Sequence, residues 1–98
     1  SSAASDVYKR QAWGIIQSGC DGCIKVDDAD IIAAKNIYLN SKGNDPKIFS
    51  GASGAVGLAG LLKCLNDKKF GNMKKHIGLG PNSKVLLFNT EGTLFDNL

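Results

Sequence analysis

The segment that decides the fold is Ser50-Gly-Ala-Ser-Gly-Ala-Val-Gly-Leu-Ala-Gly-Leu-Leu62. It begins as a turn of small residues and continues as an apolar helix, which we predict from Ser53 to about Leu65. Ser50 or Ser53 is expected to cap this helix, because a serine side chain can accept a backbone N–H of the first turn. The rest of the chain is expected to be arranged around this helix.

Three glycines, Gly54, Gly57 and Gly60, recur at every third position and therefore lie along one side of the helix. A glycine in a helix interior costs about 1 kcal/mol relative to alanine. The glycines therefore predict that another part of the backbone approaches this side closely. Apolar side chains cover much of the remaining surface, which predicts a helix buried inside a larger domain.

The first eleven residues are predicted to have a different origin from the rest of the chain. Ser1 to Gln11 reads SSAASDVYKRQ, which is a frame-correct translation of a common transposon adapter used to prepare sequencing libraries. We therefore predict that residues 1–11 are non-native and disordered and exclude them from the fold. The alternative is a polar, disordered native terminus. Residues 12–98 are then expected to be the C-terminal part of a larger domain, with the true beginning of the protein lying upstream.

Composition excludes several classes of function. The formal net charge of +3 is modest, and no basic stripe is interleaved with aromatic residues, so nucleic-acid binding is not expected. No apolar run is long enough to span a bilayer, so no membrane partner is expected. The cysteines number three in a chain that does not otherwise resemble a disulfide scaffold. This favours a reducing compartment, and we predict a cytoplasmic location.

From Ala12 onward the pattern is α/β, mostly helices with two short strands. The predicted elements are a helix tail ending at Gly19, a strand at Cys23–Val26, a helix from Ala29 to about Asn40 capped by Asp27 or Asp28, the central helix, a short amphipathic helix capped by Asp67, a turn at Gly78–Asn82 and a buried strand at Val85–Phe88. Two strands cannot form a stable sheet alone. The pattern is therefore typical of the last third of a larger α/β domain.

Cys20 and Cys23 have the C-x-x-C spacing of redox and zinc sites. A zinc site needs a second pair of ligands, and only Cys64 and His76 remain, without motif spacing. A redox dithiol lies at a helix N-terminus that lowers its pKa, whereas this pair leads into a predicted strand. We therefore interpret the cysteines as core or boundary residues and predict no metal site.

Four blocks, in chain order, resemble a known family. They are Ala12-Trp13, Ser18-Gly-Cys-Asp with Val26-Asp-Asp-Ala, Ser50-Gly-Ala-Ser-Gly-Ala-Val-Gly, and Leu87-Phe-Asn-Thr-Glu-Gly. The chain resembles the C-terminal region of the diaminopropionate ammonia-lyases, whose pattern has S-G-E-S-G-A-V-G and then N-T-E-G-D-T-D. These are pyridoxal-phosphate enzymes of the tryptophan-synthase-β-like group, or fold type II. The blocks extend over nearly all of residues 12–92.

The resemblance implies a two-domain α/β fold, a homodimer, and pyridoxal-phosphate-dependent α,β-elimination that converts 2,3-diaminopropionate into pyruvate and ammonia. In this family the lysine that holds the cofactor and the glycine-rich phosphate loop both lie upstream, so this chain alone is expected to be inactive. Thr90 matches the threonine whose hydroxyl faces the pyridine nitrogen. Ser50 and Gly51 are the other expected cofactor-binding positions, and no catalytic residue is assigned within this chain.

Two departures from the family pattern leave the substrate open. Ala52 stands where the family has a glutamate, and residues 93–98 differ from the D-T-D that the family has after N-T-E-G. One alternative is therefore another lyase or synthase of the same fold, such as a relative of threonine dehydratase. The other is a small interaction module without enzymatic activity.

Overall fold

The computed structural model describes the backbone of residues 2–92 and the side chains of residues 10–92. This part of the chain is helical. The elements are α1 (Ser2–Gly19), α2 (Asp28–Leu39), α3 (Ala52–Asn66), a 3₁₀ turn (Lys68–Phe70) and α4 (Gly71–Ile77). None of these helices combines the length and the apolar character needed to cross a bilayer. Residues 93–98, where the sequence departs from the family pattern, lie outside the described residues.

Helix α2 begins where the sequence predicts, and Asp27 is its cap. The Asp27 side chain accepts a hydrogen bond from the Asp30 backbone N–H at 3.0 Å, and the Asp30 side chain accepts one from the Asp27 N–H at 3.0 Å. This reciprocal pair is a capping box, which satisfies two donors that the helix start would otherwise leave unpaired. The local sequence therefore specifies this helix start without help from distant residues.

Helix α3 confirms the central helix, but its predicted cap is wrong. The N-cap is Gly51, and no side chain caps the helix. Ser53 lies inside the first turn of α3. The Ser50 hydroxyl instead donates to the Gly51 carbonyl at 2.9 Å or to Asn89 Oδ1 at 2.8 Å. Ser50 therefore serves a contact with a distant segment rather than the helix end.

Helices α2 and α3 pack against each other through small side chains. Ala34 of α2 and Ala55 and Ala59 of α3 are buried at the centre. Five partly buried residues surround them, namely Val26, Ile31, Tyr38, Leu58 and Leu62. The prediction that α3 is buried nearly all round is only partly confirmed, because Val56 and Leu65 are 42% and 45% exposed.

An ion pair joins the same two helices. Lys63 Nζ of α3 lies 2.9 Å from Asp30 Oδ2 of α2. The hydrogen bond from the Asp27 backbone, followed by that from Lys63, lowers the pKa of Asp30 below its usual 3.8. The hydrogen bond to Asp30 raises the pKa of Lys63 above its usual 10.5. Each charged form is therefore favoured in the folded chain.

These directions predict the pH dependence of stability. Asp30 contributes to the free energy of unfolding in full above pH 3.8, the pKa of the unfolded chain. This contribution is lost as the pH falls below 3.8 and passes through the lower pKa that Asp30 has in the folded chain. The Lys63 contribution is complete below pH 10.5 and is lost as the pH rises above it. Urea unfolding between these limits and beyond them measures the effect. Lys63→Met should remove the Lys63 contribution on the alkaline side and only reduce the Asp30 contribution on the acid side, because the Asp27 N–H still donates to Asp30. An unchanged alkaline limb in that variant would contradict the assignment.

The two predicted strands, Cys23–Val26 and Val85–Phe88, are not confirmed. Neither segment makes a backbone hydrogen bond to another part of residues 2–92. A strand exists only through pairing with a partner strand, and the described chain offers none. The second segment was predicted to be buried on both faces, yet Leu86 and Phe88 are 78% and 75% exposed. The sheet of a fold type II enzyme is therefore not observed here.

Residues 1–11 were predicted to be disordered, and this differs from the structure. Helix α1 begins at Ser2 and continues to Gly19. Alanine, lysine, arginine and glutamine in this segment are good helix formers and are compatible with a helix that extends from residues 12–19 toward the N-terminus. The foreign origin of the segment remains a prediction. Within the described residues, α1 packs against none of the other helices.

Deleting residues 1–11 is expected to change the free energy of unfolding by no more than about 0.5 kcal/mol, the range of neutral surface changes. The reason is that α1 has no helix partner in the described part. Urea unfolding of the full and shortened chains, followed by circular dichroism, provides the comparison. A larger loss of stability would show that the segment packs on the fold.

The region after α3 confirms the predicted short helix and turn. Asp67 accepts a hydrogen bond from the Lys69 backbone at 3.1 Å, and α4 follows the 3₁₀ turn. Gly78 ends α4 with a left-handed φ of 70°, and the Leu79 N–H donates to the Lys74 carbonyl at 2.9 Å. This is the glycine-terminated C-cap that satisfies the last carbonyls of a helix.

Candidate functional site

Two segments far apart in sequence meet at the N-terminus of α3. The Gly51 backbone N–H donates to the Glu91 carbonyl at 2.9 Å. The Ser50 hydroxyl reaches Asn89 Oδ1 at 2.8 Å. We call this contact the junction, formed by residues 50–54 and 89–92. These are the two segments that carry most of the family resemblance, and the structure brings them together.

Ser50 is the buried polar group of the junction. It is 2% exposed, and its hydroxyl donates either to Asn89 Oδ1 or to the neighbouring Gly51 carbonyl. A buried hydroxyl without a partner would cost about 1–3 kcal/mol. The hydrogen bond therefore favours the arrangement in which Asn89 stays against α3. This fixes the residue directly before Thr90.

The glycines of the junction leave no room for a side chain. A Cβ on Gly54 would overlap Asn89 Oδ1 and would lie 2.7 Å from Ser50 Oγ. A Cβ on Gly51 would overlap the Gly92 carbonyl oxygen. A Cβ on Gly54 would also lie 3.1 Å from the Glu91 carbonyl oxygen, so the predicted close approach of backbone is confirmed at this glycine. Because residues 89–92 fill the space beside Gly54, close packing explains this glycine.

Gly57 and Gly60, farther along α3, do not face a close backbone neighbour in the described part of the chain. A Cβ on Gly57 would lie 3.3 Å from the Leu87 side chain, which is a tight contact with a side chain rather than with backbone. A Cβ on Gly60 would meet nothing within 4 Å. The prediction of a close backbone neighbour is therefore not confirmed at these two positions.

Thr90 is exposed at the rim of the junction. Both of its neighbours are held, Asn89 by Ser50 and the Glu91 carbonyl by Gly51. The structure shows no hydrogen bond from the Thr90 hydroxyl to another residue of the described part. The strand expected to carry Thr90 is not formed, so its position depends on its two neighbours. Its hydroxyl is thus open to a group from outside.

The three predicted cofactor-binding residues lie in one place but in different surroundings. Thr90 is exposed, whereas Ser50 and Gly51 are buried and use their hydroxyl and N–H within the junction. A pyridine nitrogen requires one polar partner, and the exposed Thr90 hydroxyl fits that requirement. The observed role of Ser50 and Gly51 is to hold the segment that carries Thr90; direct contact between them and a cofactor remains a prediction.

The Ser50–Asn89 pair does not follow from sequence reasoning. The available signal is that both residues are polar and lie in the two blocks that resemble the family, next to the predicted site residues. Nothing local indicates that they pair. No group of three or more potential metal ligands occurs among the described residues.

Comparison with known proteins adds a distant relationship. No protein-family model matches the chain, and no solved structure matches it. It is 31% identical over 84 residues to the diaminopropionate ammonia-lyase of Salmonella typhimurium, an alignment that covers 83% of this chain and 20% of that enzyme. It is also 31% identical over 80 residues to the diaminopropionate ammonia-lyase of Escherichia coli K12, covering 82% of this chain and 20% of that enzyme.

The chain is distantly related to part of diaminopropionate ammonia-lyase. It spans about a fifth of the length of the curated relatives it matches. These relatives carry the same enzyme name as the family that the sequence blocks resemble. The similarity therefore concerns one region of these enzymes and does not by itself give this chain their activity.

Proposed function

We propose that this chain is part of a pyridoxal-phosphate-dependent ammonia-lyase, which performs α,β-elimination on 2,3-diaminopropionate to give pyruvate and ammonia. The observation that carries the proposal is the junction, where the two family-like segments meet and leave the Thr90 hydroxyl exposed. The distant similarity to diaminopropionate ammonia-lyases supports the same reaction.

In this proposal Thr90 is the partner of the pyridine nitrogen. The cofactor, when bound, supplies an electron sink that makes the α-proton of the substrate acidic. A neutral hydroxyl beside the ring nitrogen leaves the ring less protonated than a carboxylate would, which suits elimination rather than transamination. Ser50 and Gly51 hold Asn89 and Glu91, and through them they orient Thr90.

The alanine at position 52 supports a second candidate function. It occupies the first residue of α3, directly after the Gly51 cap, where the family has a glutamate. Alanine supplies no carboxylate, so any charge that the glutamate contributes near the cofactor is missing. The second candidate is therefore another lyase or synthase of fold type II, such as a relative of threonine dehydratase.

Exposed apolar side chains support a larger assembly in either case. Ile15, Leu86 and Phe88 are each at least 75% exposed. Packing against further protein would remove this apolar area from water, which is favourable. We propose that the whole enzyme covers them, that it is a homodimer, and that it acts in the cytoplasm.

Comparing the 98-residue chain with the full-length protein tests this proposal. The chain alone is expected neither to retain pyridoxal phosphate after dialysis nor to release ammonia from 2,3-diaminopropionate, because the lysine and the phosphate loop are proposed to lie upstream. The full-length protein is expected to do both. Borohydride reduction followed by peptide mapping locates the lysine. A cofactor adduct on a defined lysine of the 98-residue chain, or a full-length protein that binds no cofactor, would contradict the proposal.

A further inference from the structure

Cys20 and Cys23 face each other in the segment between α1 and α2. Their Sγ atoms are 3.8 Å apart, and the Cys20 thiol also donates to the Gly22 carbonyl at 3.0 Å. Both cysteines are exposed and free, whereas Cys64 is buried. The interpretation of all three cysteines as core or boundary residues therefore holds for Cys64 and is wrong for the other two.

The separation of the two sulfurs is short enough for a bond to form. A disulfide requires about 2.05 Å between sulfur atoms, so the sulfurs must approach by less than 2 Å. Residues 20–27 belong to no helix or strand, so no regular hydrogen bonding opposes the movement. Gly22, between the cysteines, lies against Met73, because a Cβ there would be 2.9 Å from the Met73 sulfur. Helix α4 therefore backs the segment that carries both exposed thiols.

The surroundings of Cys23 bear on the order of exchange. The hydrogen bond with Cys20, followed by the charge of Cys20 and by burial, raises the pKa of the Cys23 thiol above its usual value. A raised pKa leaves a smaller fraction of Cys23 as the thiolate, which is the attacking form of a thiol. Cys20 is therefore assigned the first attack and Cys23 the second.

We propose that Cys20 and Cys23 are a thiol–disulfide exchange site, which forms an intramolecular disulfide with a low-molecular-weight disulfide such as oxidised glutathione. The Cys20 thiolate attacks one glutathione sulfur, the glutathione S–S bond breaks, and one reduced glutathione leaves. The Cys23 thiolate then attacks Cys20 Sγ and releases the second reduced glutathione. The two protein thiols are oxidised, the glutathione disulfide is reduced to two thiols, and both protons end on glutathione.

Two other uses of the pair are less compatible with the structure. A structural zinc site needs four ligands, and the described residues place no third cysteine, histidine or carboxylate with this pair. Pairing with Cys64 requires that residue to leave its buried position, where it is 2% exposed. The intramolecular Cys20–Cys23 bond requires only the approach of two exposed sulfurs.

The test uses the reduced 98-residue chain with oxidised glutathione, followed by alkylation of the remaining thiols, intact-mass measurement and peptide mapping. The wild-type chain is expected to lose two hydrogens, with the disulfide mapped to Cys20–Cys23. An effective concentration of about millimolar for the neighbouring thiol, against micromolar protein, favours this bond over intermolecular pairing by about a hundredfold or more. Cys64→Ser is the matched control and should give the same disulfide at the same rate.

Cys23→Ser separates the two steps. It should keep the first attack and lose the second, so that a stable glutathione adduct accumulates on Cys20. Rapid formation of the wild-type disulfide together with a persistent adduct in this variant would support the proposal. The proposal is overturned if the wild-type chain forms no Cys20–Cys23 disulfide, if disulfide-linked dimers predominate, or if Cys64 reacts as fast as the exposed pair.

Discussion

Replacing Gly54 by alanine is expected to lower the free energy of unfolding by about 1–3 kcal/mol, the usual cost of inserting a group where the packing leaves no room. The added Cβ would overlap Asn89 Oδ1 and press on Ser50 Oγ at 2.7 Å. It must therefore push residues 89–92 away from α3 or break the Ser50–Asn89 hydrogen bond. Either response opens the junction.

Gly60→Ala is the matched control, because it makes the same change in the same helix. No atom lies within 4 Å of the position that its Cβ would take. Alanine is the better helix former, so this variant should be more stable by up to about 1 kcal/mol. Urea unfolding followed by circular dichroism measures both variants. Equal effects of the same sign would show that α3 does not distinguish the two positions and that the junction is not closely packed.

Thr90→Val in the full-length protein is expected to reduce cofactor affinity or turnover by about tenfold to over a hundredfold. Valine nearly keeps the shape of threonine and removes the hydroxyl. Losing a hydrogen bond to a buried ring nitrogen costs about 1–3 kcal/mol, and each 1.36 kcal/mol corresponds to about a factor of ten in rate. Because Thr90 is exposed in this chain, the fold should tolerate the change.

Thr90→Ser keeps the hydroxyl and serves as the control for this prediction. It should retain most of the cofactor affinity and turnover that Thr90→Val loses. Titration with pyridoxal phosphate and steady-state kinetics provide both readouts. Wild-type behaviour of the valine variant would remove Thr90 from the site, and equal losses in both variants would show that the site responds to any change at this position rather than to loss of the hydroxyl.

Local signals were sufficient to predict α2, α3 and α4, but not the first half of α1. Asp27 and Asp30 lie three residues apart at the start of α2, so the capping box is specified within one turn. Gly78 ends α4 for a similar local reason. The strands at Cys23–Val26 and Val85–Phe88 could not be confirmed, because a strand depends on a partner and residues 2–92 supply none. Helices form their own hydrogen bonds, whereas strands depend on distant chain.

The residues of the candidate site could be proposed from the sequence, but the contacts between them could not. The blocks that resemble the family identify Ser50, Gly51 and Thr90 as candidate cofactor-binding residues. No local pattern shows that residues 50–54 meet residues 89–92. Ser50 shows the limit most clearly. Its position before a helix predicts a cap. The Ser50 hydroxyl instead donates a hydrogen bond to Asn89, which lies 39 positions later in the sequence. Long-range packing overrides the local preference there.

The most direct measurement of the central claim is the product analysis of the full-length protein with 2,3-diaminopropionate and, separately, with threonine. We expect pyruvate from 2,3-diaminopropionate, with two ammonia released for each pyruvate, and slower turnover of threonine. Pyruvate is quantified with lactate dehydrogenase and ammonia with glutamate dehydrogenase. Preferential conversion of threonine to 2-oxobutyrate would transfer the chain to the threonine dehydratase-like alternative. Absence of any elimination product from a cofactor-loaded protein would contradict the assignment as a lyase.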